Sequence, residues 1–299
     1  MLARCIAAIL VAMSTLPAAA QQPAKLKVVA SFSILADFVR NIGGERIDLV
    51  TLVGADTDAH AFVPTPAHAR NVAAANLIFI NGLGFEGWMT RLIKAAGSRA
   101  DAVTATAGVK PLRMDDQKDG HSHGAIDPHA WQSVANAKIY VGNIRDALVK
   151  ADPAGRQTYD ANAMAYAEKL DALEAEVRAA VARIPADRRR IITSHDAFGY
   201  FAASYGVQFI APSGVSTETE ASARDVARII SQIKTQKIPA VFLENISSAR
   251  LMEQIARETG ARIGGKLYSD ALSGPDGPAP TYIEMMRHNV RQLGSALTG

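Results

Sequence analysis

The chain of 299 residues is 48% hydrophobic and carries 32 Lys and Arg against 29 Asp and Glu, a formal balance of +3. That charge is scattered, which excludes the dense basic face of a nucleic-acid binder, and the one run, Arg188 to Arg190, reads as the solvated entry to an apolar strand. The single cysteine is Cys5, inside the leader discussed next, so the mature chain is expected to lack disulfides, thiolate metal sites and cysteine nucleophiles together.

Residues 1–20, MLARCIAAILVAMSTLPAAA, place Arg4 before a short apolar run and three alanines. This is the layout of a secretory signal peptide, and the run is shorter than the roughly 18 residues of a membrane-spanning helix. The expectation is a periplasmic protein without a lipid anchor, because no cysteine stands at the cleavage point. The mature length exceeds one typical domain of about 100–150 residues and predicts two.

Strands and helices then alternate. LKVVASF (26–32) reads as a strand, 34–42 as a helix stopped by Gly43 and Gly44, and 47–52 as a second strand. A helix over 66–75, the apolar strand LIFI (77–80) and a helix over 86–96 follow. The pattern restarts with IITS (191–194), a helix at 198–205 and a strand at 207–210; helix 223–236, strand AVFLE (240–244) and helix 248–259 complete it. Fully apolar strands alternating with helices predict parallel sheets covered on both faces. Between the halves, residues 152–183 open with Asp152-Pro153, a cap and first-turn pair, and hold no Gly or Pro from 156 to 184. The expected organisation is therefore an α/β lobe at 25–150, a long rigid linker helix within 151–184, and a second α/β lobe at 188–299.

Four segments put a metal-capable side chain where a strand ends or a loop begins: DAHAFVPTP (His60), DPHAW (His129), ITSHDAFGY (His195) and LYSDALS (Asp270). Each alone is explained by an ordinary hydrogen-bonded residue. Together they are two from each half, at the places where open α/β sheets bind ligands, and three imidazoles with one carboxylate can close a four-coordinate shell around a borderline cation. Asp127 and Asp196 flank two of these histidines and are candidates to orient them. His121 and His123 sit in a loop of Asp, Gly, Lys and Ser before His129. His68 and His288 fit helix faces, and Trp88 and Trp131 fit core or pocket wall. Glu218 and Glu220 fit either a partner contact or a cap for the helix at Ala223.

These motifs, in this order, resemble the zinc- and manganese-specific substrate-binding proteins of ABC transporters. HAFVPTPAHARNVAAANLIFINGLGFEGW resembles the family's first-ligand region, DPHAW the second, SHDAFGYFAASYG the third and LYSDALSGPDGPAPTYIEMMRHNV the fourth. The resemblance implies two lobes joined by a long helix, with a metal site in the cleft between them formed by His60, His129, His195 and Asp270. It implies capture of Zn²⁺ and delivery to a permease in the inner membrane; a monomer is expected, with a periplasmic zinc metallochaperone as a candidate donor of the ion that the sequence does not identify. Members taking manganese tend to carry Glu at the third position, so His195 favours Zn²⁺ and makes Mn²⁺ the alternative. Many zinc members have a long His-rich loop where His121 and His123 stand, which assigns these two weak metal capture. A zinc-dependent hydrolase is the reading from another class. Against it, no HExxH motif occurs, and four protein ligands leave no open position for water. An adhesion protein with incidental metal binding finds no surface repeat to support it.

Overall fold

The computed structural model describes residues 24–113 and 126–298. The leader and the loop with His121 and His123 lie outside the described residues. Two four-stranded sheets form, each parallel throughout. The first has the order β2-β1-β3-β4, from β1 (Leu26–Phe32), β2 (Ile47–Val53), β3 (Leu77–Ile80) and β4 (Asp101–Thr104). The second has the order β6-β5-β7-β8, from β5 (Arg190–Ile192), β6 (Gln208–Ile210), β7 (Ala240–Glu244) and β8 (Arg262–Leu267). In both, the chain's first strand sits inside the sheet, which puts neighbouring loops together at the strands' carboxyl edge.

Helices α1 (Ser33–Gly43), α2 (Pro66–Ala74) and α3 (Met89–Ala96) belong to the first half. The second half carries α6 (Gly199–Tyr205), α7 (Ala223–Gln236) and α8 (Arg250–Thr259). Between them run α4 (Val134–Ala151) and α5 (Arg156–Ala182), and α9 (Tyr282–Leu297) packs back onto α5. The 27 residues of α5 span about 40 Å at about 1.5 Å each. Its buried residues, from Tyr159 through Ala163, Tyr166, Leu170, Leu173 and Val177 to Val181, keep to one stripe.

The start of that helix differs from its expected cap. Pro153–Gly155 form a 3₁₀ turn and α5 begins at Arg156. The Asp152 carboxylate accepts Arg46 Nε at 2.8 Å and the hydroxyl of Tyr159, one turn inside α5, at 2.8 Å, and caps no backbone amide of the helix. The helix expected from residue 86 begins at Met89, because the Glu86 carboxylate turns inward to the Ser31 hydroxyl (2.5 Å) and the Asn81 amide (2.6 Å). At the start of α7 the cap is Ser222, which accepts the Asp225 amide; Glu218 and Glu220 remain exposed beside it. The structure adds α4, β4 and β8 to the expected elements. Gly264 lets β8 approach closely, since a Cβ there would stand 2.5 Å from the Phe242 ring.

One apolar core runs through the first sheet, α4, α5 and α9 into the inner face of the second half. A smaller cluster, with Ile229, Ile233, Val241, Met252 and Ile255, fills the space under α7 and α8. The two halves therefore share packing across their junction, and the loops at both carboxyl edges face one another there.

Candidate metal centre

Each of the four residues is held by its own local device. His60 lies in the loop after β2, where its amide donates to Asp58 Oδ1 at 2.8 Å. The Trp88 indole donates to the carbonyl of Ala59 at 2.8 Å. The Thr217 hydroxyl from the second half reaches Asp58 Oδ2 at 2.5 Å. His129 precedes the 3₁₀ turn Ala130–Gln132. A single oxygen, Asp127 Oδ1, accepts its amide at 2.9 Å and stands 2.8 Å from its Nδ1. Asn81 donates to the Pro128 carbonyl at 2.9 Å, fixing the residue before it.

His195 follows β5. Glu244, the one charged residue at the end of β7, accepts the amides of Ser194 (2.7 Å) and His195 (3.0 Å) on Oε1. Its other oxygen stands 2.7 Å from His195 Nδ1. Asp270 follows β8, and its preceding carbonyl, Ser269 O, receives both Trp131 Nε1 (2.9 Å) and Gln132 Nε2 (2.8 Å).

These devices bring His60, His129, His195 and Asp270 together, all buried, with one donor atom of each within 4.8 Å of the others. His60 Nε2 stands 3.2 Å from His129 Nε2 and 3.2 Å from Asp270 Oδ2. Asp270 Oδ2 is 3.1 Å from His195 Nε2, and Oδ1 is 3.5 Å from His129 Nε2. Four donors bonded to zinc at about 2.0–2.2 Å would stand about 3.3–3.5 Å apart in a tetrahedron, so these separations leave room for one ion. Asp270 Oδ1 has no hydrogen-bond partner among the described residues although it is buried, which is costly unless a cation faces it. Phe85 and Trp131 close the apolar side, their rings 4.6 Å from His60 and 5.3 Å from His129.

Electrostatics reinforce the cluster. Burial disfavours a charge on His129, but the Asp270 and Asp127 carboxylates outweigh it and push the imidazole up to about 9. Burial likewise opposes a charge on His195, yet Glu244 and Asp270 raise it well above the usual imidazole range. Asp270, despite its own burial, is held well below the carboxylate range by His129 and His195. The carboxylates thus favour protons on these two rings as they would favour a cation, and a metal that binds competes with those protons.

The structure divides the two candidate orienting residues. Asp127 fills that place for His129. Asp196 makes no hydrogen bond to His195 among the described residues; its amide bonds Gly214 O at 3.1 Å, and Glu244 occupies the Nδ1 side of the ring instead. Burial, followed by the Asp127 charge, pushes Asp196 up to about 6. Glu244 is the residue that sequence reasoning missed, and its signal was a lone carboxylate ending the apolar strand AVFLE. Trp88 and Trp131 do more than line a wall, since their indoles fix the carbonyls that precede His60 and Asp270. His68 and His288 stay outside the site: His68 Nδ1 accepts the Thr65 amide at the start of α2, and His288 Nε2 is 2.9 Å from the Lys266 carbonyl.

Residues 28–296 match the family described as zinc-uptake complex component A, periplasmic. The iron-binding protein YfeA of Yersinia pestis is 40% identical over 266 residues, 89% of this chain and 84% of that one. The manganese-binding lipoprotein MntA of Halalkalibacterium halodurans is 36% identical, over 91% of this chain and 89% of its own. Among solved structures, the periplasmic zinc-binding protein TroA of Treponema pallidum superposes with a TM-score of 0.86 at 30% identity, covering 92% of this chain and all of that one. The names of these relatives span three metals. With its two parallel-sheet lobes, helical linker and buried donor cluster, the chain belongs to this family of metal-binding, substrate-binding proteins of ABC transporters.

Proposed function

We propose that this chain is a periplasmic zinc carrier: it binds one Zn²⁺ through His60, His129, His195 and Asp270 and hands it to an inner-membrane ABC permease. The observation that carries the reading is the donor set, three imidazole nitrogens and one carboxylate with ring-to-carboxylate separations of 3.1–3.5 Å. Imidazole suits zinc, whereas manganese prefers oxygen donors. Asp127 and Glu244 behind two of the rings raise their donor strength, as carboxylate–histidine–zinc arrangements do. The four donors fill a tetrahedral shell and leave no place for an activated water, which favours carriage over hydrolysis. No helix among the described residues is long and apolar enough to cross a membrane. The carrier acts as a monomer, and a periplasmic metallochaperone is the expected donor of its zinc.

A second reading, a manganese carrier, is favoured by the name of the MntA relative. Elemental analysis of protein taken from its native compartment, followed by competition between Zn²⁺ and Mn²⁺, separates the two. Zinc at one per chain, retained against excess manganese, is expected; manganese retained against zinc overturns the proposal.

A further inference from the structure

By chain order the donors divide two and two, but their attachments divide them differently. Among the described residues, the backbone around His195 bonds only to the second lobe. Ser194 and His195 amides go to Glu244, the Asp196 amide to Gly214 O, and the Thr193 amide to Ile210 O. The residues on either side of Asp270 instead bond across to the first lobe. Ser269 O receives Trp131 Nε1 and Gln132 Nε2, Leu272 O receives the Asp56 amide at 2.9 Å, and the Leu272 amide donates to Ser33 Oγ at 3.0 Å. Tyr268 and Ala271 keep bonds to Asn289 and Asn245 of the second lobe, so Asp270 sits on a segment shared by both.

We infer that Trp131 and Gln132 are positioning residues for Asp270, and that the site assembles as three donors and one. The short turn that carries His129 also grips the carbonyl next to Asp270, so Asp270, on its shared segment, is set with His129 and with His60, whose loop takes one further bond from Thr217 of the second lobe. His195 is the donor that joins from the second. Side chains of α6 do touch the first lobe, through Tyr200 to the Leu112 amide and Tyr205 to the Val134 amide. Those contacts begin five residues beyond His195 and leave its ring governed by Glu244. This inference rests on the four-donor zinc reading and adds the means by which one donor is placed.

The test is a thermodynamic cycle read by competitive Zn²⁺ titration of the full chain. Gln132→Leu keeps volume and removes the donor, and should weaken zinc by about tenfold or more, as losing an outer hydrogen-bond partner of a ligand does. In an Asp270→Asn background the same change should be nearly silent, under about twofold, because its target is already impaired; in a His195→Ala background the tenfold loss should persist. A loss that survives in Asp270→Asn and vanishes in His195→Ala overturns the inference while the site reading stands. Unchanged affinity in Asp270→Asn itself overturns the four-donor reading and this inference with it. Trp131→Phe, which keeps the ring and loses the N–H, repeats the test on the second donor. Should both variants fail to fold, spin-label distances replace them. In Cys5→Ser protein, the Lys94→Cys/Asp276→Cys distance should stay fixed when Zn²⁺ is added, while the Lys94→Cys/Gly214→Cys distance shortens. Both distances changing by equal amounts overturns the three-and-one division.

Discussion

His129 and His195 each present Nε2 to the same point and each have a carboxylate behind Nδ1, at 2.8 and 2.7 Å. They differ in how that carboxylate is supplied. Asp127 lies two residues before its histidine and holds the ring and the backbone amide with one oxygen. Glu244 comes from a different strand, 49 residues away, and uses its two oxygens separately for backbone and ring. The first arrangement closes within three consecutive residues, Asp127 to His129; the second exists only once β5 and β7 are paired. The same chemistry is thus built once from neighbours in sequence and once from the sheet.

Removing the ring itself is the strongest way to break this comparison. His129→Ala should weaken Zn²⁺ by more than about 100-fold, beyond the range typical of outer partners, as read by competitive titration. Retained tight binding would remove His129 from the donor set.

Acid comes next, since it acts on both rings. Because His129 is pushed up to about 9 and His195 is also raised, protons compete with the metal at every pH below that. Each displaced proton lowers affinity about tenfold per pH unit, so roughly 100-fold or more is lost between pH 7.5 and 5.5. Flat affinity over this range would contradict an imidazole site. Metal-free stability follows the opposite sign. A histidine raised in the folded state contributes stability that is full below the unfolded value of about 6.5 and is lost as pH rises toward 9. Asp270, lowered in the folded state, contributes stability present above about 3.9 and lost below it. Calorimetry of the metal-free chain should therefore show Tm falling from pH 6.5 to 9, while zinc reverses that trend.

The two carboxylates themselves should cost less. Asp127→Asn and Glu244→Gln should each weaken zinc by about 10–100-fold. Glu244→Ala should in addition destabilise the fold, because the Ser194 and His195 amides lose their buried acceptor. If Glu244→Gln binds zinc as the parent does, the sheet-built half of the comparison has no role in the site. A smaller change of preference is expected from His195→Glu, which trades a borderline nitrogen for a hard oxygen and should move selectivity toward manganese. The least effect belongs to the loop. Deleting residues 117–124 should change equilibrium affinity by less than about 1.4 kcal/mol, or tenfold, while stopped-flow zinc uptake slows.

The contrast between Asp127 and Glu244 also explains what could be read before the fold was known. The strands LKVVASF and LIFI declared themselves by continuous apolar runs, and the parallel two-lobe architecture followed from their alternation with helices. DPHAW and SHDAFGY exposed their histidines because the motif and the polar ligand are adjacent. β8 stayed hidden because RIGGKL carries two glycines whose reasons exist only in the packed sheet: Gly264 passes beside the Phe242 ring, and Gly265 turns at a φ of +120° beside the Gln292 side chain. Glu244 was hidden for the same reason, and proximity in sequence made Asp196 look like the partner of His195 when the ring faces another strand. The cap of α5 failed similarly, since the Asp152 carboxylate meets the Arg46 side chain and the Tyr159 hydroxyl of α5 rather than the helix's first backbone amides.

The central claim is that one zinc ion is held by four side chains from both lobes. Zinc-edge anomalous diffraction from crystals of the metal-loaded protein tests it most directly. The account predicts a single strong peak with nitrogen of His60, His129 and His195 at about 2.0–2.1 Å and oxygen of Asp270 at about 2.0–2.2 Å. A peak elsewhere in the molecule, or one lacking any of these four donors, would contradict it.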